Sequence, residues 1–158
     1  MICIRWANQW TPVFRSVFVS LMLLVFAGCA SIRPVRGSRP VNVVIETTAY
    51  CPCGKCCGWT RSWIPPFRPV YSSGPLKGKP KKVGITASGT KARKGTIAAD
   101  TRYFPLGTVM KVPGYGYGRV EDRGSAIKGP ARIDLFFKTH QQALEWGRQR
   151  MRVQVWRP

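Results

Sequence analysis

The stretch Thr96–Phe137, reading TIAADTRYFPLGTVMKVPGYGYGRVEDRGSAIKGPARIDLFF, constrains this chain more than any other. Short β-branched or apolar runs end in Asp100, Asp122 and Asp134, and each run is bounded by glycine or proline turns. That is the grammar of a turn-rich β protein, not of a helical bundle, and the 16 glycines and 13 prolines of the chain agree with it. The chain has 26 Lys+Arg and six acidic residues, four of which (Asp100, Glu121, Asp122, Asp134) lie in this stretch. Carboxylates concentrated at strand ends in so basic a chain mark a candidate site. Within Ala131–Phe137, Ile133, Leu135 and Phe137 alternate with Arg132, Asp134 and Phe136, so Asp134 faces away from the apolar side.

A length of 158 residues suits one domain with an adequate core. Arg5 and Arg15 precede the apolar run Ser16–Ala27, a positive region followed by a hydrophobic one of secretory length. The run ends in Phe26-Ala27-Gly28-Cys29, which resembles a bacterial lipoprotein signal. Residues 1–28 are therefore expected to be removed, with Cys29 lipidated, and residues 29–40 to act as a Pro/Arg/Ser tether before a domain at 41–158. An ordinary signal peptide is the alternative. The expected location is the cell envelope, anchored to a membrane, in the outer membrane or periplasm if there are two membranes. The net charge of +20 calls for an anionic partner or surface. No nucleic-acid-binding motif is present, so wall polymers and lipids are the expected anions.

Val41–Thr48 reads as a first strand. Cys51, Cys53, Cys56 and Cys57 crowd the loop 51–58. In an oxidising envelope two disulfides are expected, pairing Cys51 and Cys53 with Cys56 and Cys57. A thiophilic ion such as zinc is the second reading, and free thiols the third. Residues 59–82 read as a long loop whose prolines forbid a central strand; Trp59, Trp63, Phe67 and Tyr71 suit a glycan-stacking lip or packing onto the domain. Gly84–Thr90 reads as a short strand and turn, with Thr86 and Ser88 as hydroxyl donors to a sugar or carboxylate, or as turn caps. Tyr115, in the Gly/Tyr loop Pro113–Gly118, lines a groove or covers one end of the domain. Thr139–Trp146 is the one helix, capped by Thr139 and stopped at Gly147. The single histidine, His140, reads as a surface residue of its first turn, which excludes Ser-His or Cys-His catalysis and a histidine-based zinc peptidase site.

The segments Gly95–Asp100, Pro105–Thr108, Val112–Gly116, Glu121–Gly129 and Arg132–Phe136, with Thr47–Tyr50 and Thr86–Gly89 upstream, resemble the three-aspartate (3D) domain. That domain is the double-psi β-barrel core of membrane-bound lytic transglycosylase A and of stationary-phase cell-wall proteins. The resemblance implies a mainly β fold, a six-stranded double-psi β-barrel with one short helix before the last strand. It also implies a peptidoglycan lytic transglycosylase cleaving the MurNAc-GlcNAc β-1,4 bond with a 1,6-anhydro product, acting as a monomer without a cofactor. Asp134 would be the single acid/base, tuned by Asp122 and Asp100, with Lys128 and Arg132 as substrate contacts. The alternative is a non-catalytic peptidoglycan-binding lipoprotein.

Overall fold

The computed structural model describes residues 31–35 and 37–158. The expected signal segment and Cys29 lie outside them. Eight strands and two short helices follow in order: β1 Val41–Tyr50, α1 Gly54–Cys57, β2 Trp59–Arg61, β3 Pro69–Tyr71, β4 Thr96–Ala99, β5 Val109–Val112, β6 Gly116–Asp122, β7 Arg132–Phe136, α2 His140–Trp146 and β8 Gln149–Trp156. Six strands close a barrel in the order β1-β7-β4-β6-β5-β8. The short helix before the last strand is present, as the resemblance implies. Two neighbouring pairs are parallel, β1 with β7 and β4 with β6; the other four are antiparallel. Among the described residues no helix is long and apolar enough to cross a membrane.

Inward side chains at alternate positions fill the barrel, with Ile45, Ile97, Met110, Val120, Ile133 and Leu135 at its centre. Closure removes the free strand edges that an open sheet of this size would expose. At Gly118 a Cβ would come 2.6 Å from Ile97 Cδ1, so the β4–β6 approach requires glycine there. Between Ile97 and Ala98 the β4–β6 register shifts: Ile97 pairs with Val120, but Ala98 with Asp122. Glu121 is thus the extra residue of a β-bulge, a device that re-aims the side chains beyond it.

Three sequence expectations change. Residues 59–82 contain a small antiparallel sheet, β2 with β3, placed outside the barrel where prolines do no harm. Gly84–Thr90 forms no strand; an isolated bridge joins Ile85 to Lys91, and the Ser88 amide donates to the Glu121 carbonyl at 2.9 Å. Tyr115 is buried at the end of the barrel rather than lining a groove. Its ring packs edge-on against Phe137 and Trp146, and its hydroxyl donates to the Phe136 carbonyl at 2.9 Å and accepts from the Gly95 amide at 2.9 Å.

Candidate active site

The site grows from one small residue. Ala98 sits on β4 between β6 and β7 and pairs with Asp122 on one side and Asp134 on the other. The bulge at Glu121 makes this possible, because without the extra residue Glu121 would stand where Asp122 does. Beyond β7, β1 brings Thr48 opposite Asp134 and Tyr50 two positions further along the same face. Thr48 Oγ1 donates to Asp134 Oδ1 at 2.8 Å, and the Tyr50 hydroxyl donates to Asp122 Oδ2 at 3.2 Å. Burial and the neighbouring Asp122 charge hold the Tyr50 phenol well above its ordinary pKa, so it remains a neutral donor.

Asp122 Oδ1 accepts two backbone amides, from Ala87 at 3.0 Å and Arg123 at 2.8 Å. Asp134 has only the Thr48 hydroxyl. Burial pushes its carboxyl above the usual carboxylate range; the Thr48 bond opposes this, and the Asp122 charge adds to it. No fully buried side-chain polar atom among the described residues lacks a partner, so Asp134 Oδ2, which has none there, is not fully enclosed.

Asp100 does not join this pair. Arg102 grips it through Nε at 3.0 Å and Nη2 at 2.7 Å, and the Gly129 amide donates to it at 2.9 Å. The Arg102 bonds, followed by the Gly129 amide, hold its carboxyl far below the usual range. Asp100, Arg102, Arg123 and Lys128 line a separate cavity of about 210 Å³. Glu46 pairs with Arg132 at 2.7 Å, and Glu121 with Arg93 at 3.5 Å. Arg132, expected at substrate, gives its Nε to Glu46, and its charge lowers the Asp134 carboxyl pKa against the effect of burial. Of the three aspartates, Asp122 and Asp134 carry no ion pair among the described residues, in a chain with 26 basic side chains.

The hydroxyls of Thr86, Ser88 and Thr90 bond to one another at 2.9–3.1 Å. They close the turn; what that turn offers to the site is the Ala87 amide. Lys128 is exposed and lines the cavity that also holds Asp100.

The cysteine loop also departs from the expected pairing. All four thiols are free, and Cys57 donates to the Cys51 carbonyl at 3.1 Å. Cys51, Cys53 and Cys56 converge instead on His140, which is half-buried rather than an ordinary surface residue. Sequence reading passed over Thr48, Tyr50 and His140 as site residues. For the first two the signal was present, since Thr48 and Tyr50 alternate on one strand face; for His140 only the fold supplies it. In the adjoining hairpin Trp63 is 88% exposed and Phe67 56% exposed, so these rings do not pack onto the barrel. Trp59 is half-buried and its indole donates to the Pro52 carbonyl at 2.9 Å.

Residues 95–157 match the family model of the 3D domain. Two proteins of Bacillus subtilis (strain 168) are similar over 76 residues at 38% identity, covering 46% of this chain. YabE is provisionally named for cell wall shaping, and the aligned part is 18% of its length. YocH is named a cell wall-binding protein, and the aligned part is 26% of its length. The chain therefore spans well under a third of either relative. The matched segment holds β4 to β8; β1, which closes the barrel and carries Thr48 and Tyr50, precedes it. With its closed barrel and its Asp100, Asp122 and Asp134, this chain carries a 3D domain at residues 95–157.

Proposed function

We propose that the protein cleaves peptidoglycan glycan strands as a lytic transglycosylase, with Asp134 as its single acid and base. The observation that carries this reading is the state of Asp134: a carboxyl raised above its ordinary pKa, with no ion pair among the described residues, one oxygen held by Thr48 and the other without a partner there. Glycosidic cleavage needs a proton for the leaving oxygen near neutral pH, and burial beside a like charge is the standard way to keep one on a carboxyl. In the reaction the bond between the sugar C1 and the leaving oxygen breaks as Asp134 protonates that oxygen. The Asp134 carboxylate then takes the proton of the same sugar's C6 hydroxyl, whose oxygen closes onto C1. No water is consumed and Asp134 ends protonated, as it began. Asp122, anchored by two amides and Tyr50, remains in place as the neighbouring charge.

The names of the two relatives support a cell-wall substrate, and place in the envelope follows from that substrate. They also support a second reading, a glycan-binding module without catalysis, which the exposed Trp63 and Phe67 between Arg61 and Arg68 favour. Mass spectrometry of purified peptidoglycan incubated with the protein, beside Asp134→Asn, separates them. Anhydro-muropeptides from wild type alone establish the enzyme. Reducing-end products mean hydrolysis, and no products with retained binding to insoluble wall establish the module.

A further inference from the structure

Three thiols from the loop after β1 and one imidazole from α2 meet around a single point. His140 Nδ1 lies 3.8 Å from Cys51 Sγ, 3.6 Å from Cys53 Sγ and 3.4 Å from Cys56 Sγ. Cys51 and Cys56 Sγ are 3.7 Å apart, and all four atoms fall within 4.8 Å of one another. A tetrahedral zinc ion with Zn–S of about 2.3 Å and Zn–N of about 2.0 Å has S···S edges of about 3.8 Å and S···N edges of about 3.5 Å. The three S···N edges and the Cys51–Cys56 edge lie within about 0.3 Å of those values. Hydrogen bonding alone does not explain the convergence, because an imidazole Nδ1 has either one proton or one lone pair and serves one thiol at a time. A cation at the centre serves all four.

The local backbone is shaped for the same end. Cys53 caps α1, and its sulfur accepts the Cys56 amide at 3.4 Å, a bond that offsets thiolate charge. The two cysteines are separated by Gly54 and Lys55, the short spacing of a metal knuckle. Any side chain at Gly54 would run into the Trp59 carbonyl, so the turn admits only glycine. Cys57 points to the Cys51 carbonyl and stands outside the set.

We infer that Cys51, Cys53, Cys56 and His140 bind one structural zinc ion. Three sulfurs and one nitrogen in a tetrahedron select zinc over hard cations, and four protein ligands leave no position for a reacting water. The ion would tie the residue following Tyr50 to the first turn of the helix following β7, the two segments that carry the donor to Asp122 and Asp134 itself. Its place is thus to hold β1 and β7 in register beside the aspartate pair, whatever chemistry that pair performs.

Elemental analysis of the full-length protein, purified without chelator, should find about one zinc per chain. Cobalt exchange should give the intense visible bands of a tetrahedral site and a thiolate charge-transfer band. Cys56→Ser and His140→Ala should lose the metal, while Cys57→Ser should keep it. Should a variant fold poorly, alkylation of the native protein reads the same point: Cys51, Cys53 and Cys56 should be protected until a chelator is added. Zinc-free protein with cobalt-silent spectra, a Cys51–Cys56 disulfide in a non-reduced peptide map, or zinc retained in His140→Ala would each overturn the site.

Discussion

Asp100 and Asp134 occupy matching places in the sequence, one just past a buried apolar strand and one within such a strand, yet the fold gives them opposite surroundings. Asp100 is 7% exposed and clamped by Arg102 and the Gly129 amide, a charge-assisted, two-pronged grip. Asp134 has a single hydroxyl partner and a like-charged neighbour. The first environment fixes an ionised carboxylate that ties two loops together. The second favours the protonated form. Identical side chains thus stand in opposite electrostatic surroundings: Arg102, two residues downstream, holds the Asp100 carboxyl down, and burial pushes the Asp134 carboxyl up.

The sharpest test is exchange of one oxygen for nitrogen at each position. Asp134→Asn should lower peptidoglycan cleavage by about 10²–10⁴-fold, the span typical of a lost general acid, with little loss of fold. Asp100→Asn should do the reverse: a lower Tm and cleavage retained per folded molecule. Comparable catalytic losses at both positions would break the distinction between them.

Thermal stability should separate the two in its dependence on pH. The folded-state pKa of Asp134 is raised, so its stabilising contribution is full below the ordinary carboxylate value of about 4 and is lost as pH rises through the raised folded value. Asp134→Asn, which keeps an acceptor for Thr48, should therefore melt higher than wild type at pH 7, with the gap closing toward pH 4 and below. Asp100 has a depressed pKa, so its contribution is present above about 4 and fades as pH falls through the folded value. Asp100→Asn should melt lower at pH 7, with the gap narrowing in acid. Melting curves of the three proteins across this range check both signs.

Thr48→Val tests how the proton of Asp134 is tuned. The hydroxyl favours the charged carboxylate, so its removal should raise the Asp134 pKa further and move the alkaline limb of the pH–rate profile to higher pH. The accompanying loss of stability should be about 0.5–1.5 kcal/mol, that of one hydrogen bond. An unmoved limb would mean that another group sets it. The smallest effect is expected at the hairpin. Trp63→Ala should change stability by no more than about 0.5 kcal/mol, as an exposed site, while weakening retention on insoluble peptidoglycan. Unchanged retention would leave that exposed ring without a part in binding.

The strands were legible because their signals are local. Val109–Val112 appears as expected, β1 begins at Val41, and α2 follows its Thr139 cap and stops at Gly147. The alternation through Ile133 and Leu135 correctly turned Asp134 away from the core, since a strand's period of two needs no knowledge of the partner strand. Where local pattern leaves two readings open, the fold takes the structural one: the hydroxyls of Thr86 and Ser88 close their turn, and Tyr115 fills the barrel end.

What the residues determined unaided is a basic, turn-rich β chain with its carboxylates gathered in and just after short apolar runs, because charge, alternation and turn chemistry are properties of neighbours in sequence. Which aspartates would meet, and in what electrostatic state, was decided by tertiary structure alone. A one-residue bulge at Glu121 brings Asp122 level with Asp134 across Ala98, and β1 delivers Thr48 and Tyr50 from more than 70 positions away. The same holds for His140, which meets Cys56 across 84 residues. Pairing over such separations depends on barrel closure and register, and no local pattern encodes either.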